Sequence, residues 1–212
     1  MPLEVDVSLR RPNWFWSTQN HVNLLSVEQL LEIYYRSVGR GAQLLLNVSP
    51  DRTGRVPEAD AARLREFGDE VRRRFGAPVA ETGAAGPAPA VRAGRILTLP
   101  LPGGPRRVDH VILQEDLAGG ERVRAYRLEG LVDGAWTLLG TGSAIGHARI
   151  QPVGPVTASA LRLTCTHSAA PPLFRLFAAF DTGAAPPPTW QQPAQLWADD
   201  AVGAWTDGRC EA

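Results

Sequence analysis

Two carboxylates, two guanidinium groups and three aromatic rings crowd into the thirteen residues Glu4-Val5-Asp6-Val7-Ser8-Leu9-Arg10-Arg11-Pro12-Asn13-Trp14-Phe15-Trp16. The alternation of V-D-V-S-L predicts a strand, and residues 4 and 6 of a strand point to the same side. The rings of Trp14, Phe15 and Trp16 then fall in the loop that follows. Such a mixture suits sugars: ring faces stack on C–H patches, while carboxylates and arginines bind hydroxyls. A loop of this kind at the carboxyl end of a parallel barrel strand faces an active site. We therefore take Glu4, Asp6, Trp14 and Trp16 as candidate substrate-binding residues. Other readings stand beside this one. Glu4 could form a buried ion pair with Arg10 or Arg40, or lie on plain surface, and the three rings could simply fill core space. Asn47 and Asp51, at the end of a later apolar run, fit turn caps.

Other chemistries find little support. The four histidines, His21, His110, His147 and His167, lack a second ligand at metal spacing and read as packed or surface residues. The two cysteines, Cys165 and Cys210, make neither a disulfide framework nor a C-x-x-C pair. Gly140-Thr141-Gly142 is a turn signal, not a phosphate loop. With 22 basic and 22 acidic residues the formal net charge is zero, which excludes a strongly basic nucleic-acid binder. Every basic residue is Arg, which fits a GC-rich coding bias in a chain of 21 Gly and 18 Pro. No run approaches the ~20 apolar residues of a membrane span. The first residues lack the basic and apolar regions of a secretory leader.

The elements that must position the candidate residues change character along the chain. Ser26-Val27-Glu28-Gln29 is a capping box. Leu30, Leu31, Tyr34 and Val38 continue it at helical spacing, and Gly39 is expected as the left-handed stop. Gln43–Val48 is a short, nearly all-apolar strand of the type buried in parallel sheets. Pro57 opens a second helix with the stripe Ala61, Leu64, Phe67, Val71 and Phe75. Residues 1–76 thus read as strand, helix, strand, helix, a piece of an α/β fold that would leave apolar faces bare. A strand beginning at residue 3 is expected to sit inside a larger fold. Residues 77–93 read as a Pro/Ala/Gly linker. From 94 to 181 seven alternating runs follow: Ile96–Leu101, Val108–Glu115, Val123–Val132, Trp136–Gly140, Ala148–Val153, Ala160–Thr166 and Leu173–Phe180. Asp133-Gly134 marks a hairpin, and the set predicts an antiparallel β-sandwich. Residues 182–212 read as a disordered Pro/Ala-rich tail in which Trp190, Trp197 and Trp205 could anchor patches.

The motifs E-V-D-V-S-L-R-x-P-x-W-F-W and S-V-E-Q-L-L-E-I-Y-Y-R-S-V-G-R-G-A-Q-L-L-L-N-V-S-P-D-R-T-G-R-V-P-E-A-D resemble the end of the catalytic barrel of the α-L-fucosidases, glycoside hydrolase family 29. The segment 111–130 and the stretch I-G-H-A-R-I resemble the β-sandwich that follows that barrel, so the resemblance covers roughly residues 3–181. Arg11 and Asn13 depart from the pattern, as does Trp16-Ser17 where a Tyr-His pair is expected. The resemblance implies a mixed fold, a partial (β/α) barrel followed by a sandwich of galactose-binding-like jelly-roll type. It implies retaining hydrolysis of terminal α-L-fucosyl residues from a fucosylated glycan, with no cofactor, metal, nucleic acid or membrane. No position here matches the family's nucleophile motif. The nucleophile and acid/base are expected upstream of Met1, so the chain on its own is expected to be inactive unless the missing upstream barrel is supplied. The alternative is a carbohydrate-binding or structural sandwich without catalysis of its own. Tyr126 and Trp136 are expected in the sandwich core, which favours support over sugar binding.

Overall fold

In the computed structural model, which describes residues 3–18, 23–82, 92–93 and 95–184, Ser26 begins the first helix. The Gln29 N–H donates to Ser26 Oγ at 3.2 Å, and the Ser26 N–H donates to Gln29 Oε1 at 2.9 Å. This box satisfies two otherwise orphaned donors and opens α1 (Val27–Arg36). The helix joins two parallel strands, β1 (Glu4–Ser8) and β2 (Gln43–Asn47), paired from Glu4 opposite Gln43 to Ser8 opposite Asn47. Next comes α2 (Glu58–Phe75), with Glu58 and Asp60 in its first turn and Arg72, Arg73 and Arg74 in its last. Both ends thereby complement the helix dipole. Val7, Leu9, Leu25 and Leu30 are buried with Leu44, Leu46, Leu64 and Phe67 packed on them, so the two helices cover one face of the strand pair. The buried Asp60 locks this arrangement: both its oxygens accept from Arg10 Nε, at 2.9 and 3.0 Å, and Oδ1 also accepts from Arg10 Nη2 at 2.5 Å.

The helix stop differs from expectation. A 3-10 turn (Val38–Arg40) follows α1, and Gly41, not Gly39, takes the left-handed conformation at φ 84°. Gly39 serves close approach instead: a Cβ there would stand 3.3 Å from the Cβ of Ile150.

Ile150 belongs to the second part of the chain. Its strands are β3 (Ala80–Thr82), β4 (Arg92–Ala93), β5 (Ile96–Pro100), β6 (Arg106–Glu115), β7 (Val123–Val132), β8 (Ala135–Gly142), β9 (Arg149–Ala158), β10 (Ala160–Ser168) and β11 (Leu173–Phe180). One antiparallel sheet has the order β5-β10-β7-β8. The other runs β3-β11-β6-β9, with β4 also on β11. Asp133 at φ 49° and Gly134 at φ 82° make the tight turn between β7 and β8. Between the sheets lie Val108, Leu113, Tyr126, Leu128, Leu163, Phe174 and Phe177, all buried, so this part is a β-sandwich.

Two stretches depart from the compositional reading. Within residues 77–93, read as linker, β3 and β4 both pair with β11, and the Phe177 N–H donates to Thr82 Oγ1 at 3.0 Å. Short edge strands take their order from the ladder they join, so an apolar pattern of their own is not needed. At the start of the supposed tail, Thr182 is buried against Asp109. Residues 185–212, with Trp190, Trp197 and Trp205, lie outside the described residues.

The helices sit on the outer face of the second sheet, so β6 and β11 are covered on both sides. Phe177, Ala178, Ala179 and Phe180 are all buried in succession for this reason. At the junction, the fully buried His110 meets Tyr35 Oη through Nε2 at 3.0 Å and Asp109 Oδ1 through Nδ1 at 2.8 Å. Since Nδ1–H must serve the carboxylate, Nε2 accepts the Tyr35 hydroxyl proton and the ring is neutral. Asp109 also accepts from the Thr182 N–H, the Thr182 hydroxyl and the Gly183 N–H at 2.9, 3.0 and 2.9 Å. Phe75 packs edge-on to both His110 and Phe180.

Burial lowers the pKa of His110 against the opposing pull of Asp109. A base whose folded pKa lies below its unfolded value of about 6.5 takes up its proton preferentially in the unfolded chain. Stability is therefore complete above that pH and is lost as pH falls below it. The urea midpoint should drop between pH 7.5 and 5.5, with a slope of up to about 1.4 kcal/mol per pH unit. His110→Gln, which cannot titrate, should flatten the profile; an unchanged slope would remove His110 as its source. The Arg10–Asp60 pair yields a second expectation. Asp60→Ala removes the buried carboxylate that Arg10 binds and should cost about 3 kcal/mol in urea unfolding, while Arg10→Met with Asp60→Leu recovers most of it.

Candidate active-site face

Strand alternation divides the residues of β1 and β2 between two faces. Val5, Val7, Leu44 and Leu46 meet the helices. Glu4, Asp6 and Ser8 occupy the other face, across from Gln43, Leu45 and Asn47. Glu4 and Asp6 are both exposed there, and Leu45 beside Asp6 is 45% exposed. Glu4 is thus not in a buried ion pair; Arg10 pairs with Asp60 instead, and Arg40 is exposed.

The aromatic loop folds back over the carboxyl ends of the two strands. Ser8 Oγ donates to the Asn13 carbonyl at 2.5 Å and accepts the Arg10 N–H at 3.3 Å. The Trp14 carbonyl accepts twice, from Asn47 Nδ2 at 2.9 Å and from Ser49 Oγ at 2.7 Å. Trp14 and Phe15 are left 46% and 85% exposed, so neither fills a core. Trp16 is half-buried, with the Arg52 guanidinium 5.6 Å from its ring centre. Of the four predicted residues, the structure gathers Glu4 and Asp6 on one open face with the Trp14 backbone anchored at its end. Trp16 lies beyond it, against the Arg52 loop.

Asp51 is a turn cap. Its Oδ1 accepts from the Thr53 hydroxyl at 2.6 Å and the Thr53 N–H at 2.7 Å, and these bonds hold its carboxyl below the ordinary value. Asn47 and Ser49 are the loop-holding residues that spacing alone does not single out. Asn47 fits any turn cap by type, and only the pairing of Ser8 with Asn47 brings it under Trp14.

In the sandwich, buried Tyr126 donates to Gln151 Oε1 at 2.5 Å. Trp136 lies under the Arg162 guanidinium, 4.1 Å from its ring centre, and Arg162 binds both oxygens of Glu129 at 2.9 and 3.0 Å. Tyr126 is in the core as expected, whereas Trp136 is only half-buried and lies outside it, covered by Arg162. Among the described residues no group of His, Cys, Asp and Glu could hold a metal ion.

Two carboxylates on one strand approach a bound molecule from one side. They can donate or accept a proton and bind hydroxyls, and the exposed indole of the loop beyond the strand's end offers a stacking surface.

Comparison with known proteins is consistent with that chemistry. The family model described as alpha-L-fucosidase matches residues 1–74. The rice (Oryza sativa subsp. japonica) protein named "Putative alpha-L-fucosidase 1" is 30% identical over 207 residues, 85% of this chain and 39% of its own length. A crystal structure from Bacteroides thetaiotaomicron, also described as a putative alpha-L-fucosidase, is 39% identical with a TM-score of 0.76 over 85% of this chain and 41% of that one. A Ruminococcus gnavus glycoside hydrolase family 29 fucosidase, solved as a point mutant in complex with fucose, is 25% identical with a TM-score of 0.70 over 84% of this chain and 40% of its own. The chain therefore spans about two fifths of the length of the relatives it matches. Matched across both its helical and its sandwich parts, the chain belongs to the α-L-fucosidase family, glycoside hydrolase family 29.

Proposed function

We propose that this chain forms one wall of a retaining α-L-fucosidase that hydrolyses terminal α-L-fucosyl residues of glycans. In this reading residues 1–76 are the last βα units of a (β/α)8 barrel, and 94–181 form a supporting sandwich of galactose-binding-like jelly-roll type. The stretch 77–93 connects the two and lends β3 and β4 to the sandwich, and Thr182 beyond β11 packs on Asp109. The observation that carries the reading is the exposed face of β1 and β2, which bears Glu4 and Asp6 along β1 and ends at an aromatic loop anchored at the strands' carboxyl ends. The family match and the fucose complex of the Ruminococcus gnavus relative support the substrate class.

Retaining hydrolysis uses two carboxyl groups about 5 Å apart, one attacking the sugar carbon and one protonating the departing oxygen. Glu4 and Asp6 reach a sugar from the same side. They would bind its hydroxyls, with Trp14 and Trp16 as walls. The opposing nucleophile comes from the part of the relatives' length that this chain does not span. Holding the sugar between the two groups supplies much of the rate, so one wall alone is insufficient.

Purified 212-residue chain should release no detectable nitrophenol from 4-nitrophenyl α-L-fucoside. Fused behind the remaining barrel of the Bacteroides thetaiotaomicron relative, it should acquire turnover. In that fusion Glu4→Gln should lower kcat/KM by about tenfold, the loss of roughly one hydrogen bond to the sugar. Trp14→Ala should act mainly on KM. Turnover by the chain alone, or an unaffected Glu4→Gln fusion, would overturn this assignment.

A further inference from the structure

The loop that carries Trp14 is held to the strands by side chains on the backbone of Asn13 and Trp14. Three hydroxyl or amide groups converge there: Ser8 on the Asn13 carbonyl, and Asn47 and Ser49 together on the Trp14 carbonyl. Asn47 Nδ2 also lies 3.5 Å from both Ser8 Oγ and Ser49 Oγ, so the three side chains form one cluster. The Trp14 oxygen can only accept, which fixes the Asn47 amide with its nitrogen toward the loop. The Asn47 carbonyl meanwhile accepts the Leu9 N–H at 3.0 Å. One residue at the end of β2 therefore ties down both the end of β1 and the loop beyond it.

We infer that Asn47 and Ser49 are positioning residues, which hold Trp14 by its carbonyl so that its indole is presented at the end of the face bearing Glu4 and Asp6. The inference rests on the proposed sugar-binding role of that face, although the clamp itself can be tested without it. The geometry gives each residue a distinct requirement. Position 47 must donate, because the target is a carbonyl. Asn47→Asp is nearly isosteric but presents only acceptors at neutral pH, so it sets like against like. Position 49 needs a hydroxyl: Ser49→Thr keeps it and Ser49→Ala removes it. A role limited to packing would rank these variants by size, whereas a clamp ranks them by donor.

The first test follows backbone amide exchange by mass spectrometry in the full 212-residue chain. Asn47→Asp and Ser49→Ala should each speed exchange across residues 13–16 by about tenfold, the loss of roughly one hydrogen bond. Peptides from α2 and β6 should be unchanged, and Ser49→Thr should match the parent. Parent-like exchange at 13–16 in both variants, or equal acceleration throughout the chain, would overturn the clamp. The second test uses the barrel-completed fusion. Asn47→Asp and Ser49→Ala should raise KM about tenfold and leave kcat within twofold, with Ser49→Thr restoring the parent KM. A loosened loop with unaltered KM would overturn the positioning role. A parent fusion without any fucosidase activity counts against the proposed function, and the exchange result still decides the clamp.

Discussion

A neutral imidazole held between a phenol and a carboxylate joins the two parts of this molecule. His110 stands on β6, Tyr35 on α1, and Asp109 beside His110 is in turn held by the backbone beyond β11. No member of this set can be changed alone without stranding a buried polar group, and such groups are costly when unmatched. Asp109 keeps its charge although burial opposes it, because His110 and Thr182 both donate to it, and its pKa is lowered. A second tier surrounds the joint. Arg73 donates to the Thr182 carbonyl at 2.8 Å, while Glu70 binds Arg73 and Arg74 and is lowered to about 2, chiefly by the Arg73 hydrogen bond. The last turn of α2 is thereby tied to the end of the sandwich.

That joint explains how the sandwich can serve the site without touching it. The second sheet is covered by its partner sheet on one side and by the helices on the other. The helices in turn cover one face of β1 and β2. The opposite face of the strand pair therefore has a rigid backing three layers deep. Among the described residues that face is open, with Glu4, Asp6 and Leu45 exposed on it. Polar strand residues ordinarily face solvent in a half-buried sheet. Here they are joined by an anchored aromatic loop, which plain solvation does not require.

The pair Arg10–Asp60 and the cluster Ser8–Asn47–Ser49 divide the work at the carboxyl end of β1. The first is buried and fastens the strand to α2 behind it. The second, with Ser8 buried and Asn47 and Ser49 half-buried, sets the path of the loop in front. Arg10 and Arg11 are adjacent and of one type, yet Arg10 is largely buried on its carboxylate and Arg11 is exposed. Arg10 is held by its bridge to Leu24, whereas Arg11 falls in the turn that follows.

Much of the fold was written in local pattern. The capping box at Ser26, the apolar stripe after Pro57, the Asp133-Gly134 turn and the seven alternating runs each describe neighbours in sequence, and each appears in the structure. The same holds for the shared side of Glu4 and Asp6, because a period of two needs no tertiary knowledge, whereas local pattern leaves their exposure open. Local pattern failed wherever the partner was distant. Composition showed no strand at Ala80–Thr82, because β11 lies about a hundred residues away and supplies the order. It placed the left-handed stop at Gly39, because nothing nearby reveals the approach of Ile150. It read His110 rightly as a packed histidine but gave no sign of its partners, and it read Asn47 as a turn cap. The sequence by itself determined which elements form, which strand face is polar and which family the motifs resemble. Only the tertiary structure decided that His110 joins the two parts and that Asn47 and Ser49 hold the Trp14 loop. Hydrogen bonds between residues 33 to 75 positions apart depend on strand register and layer packing, and neither is encoded in any local spacing.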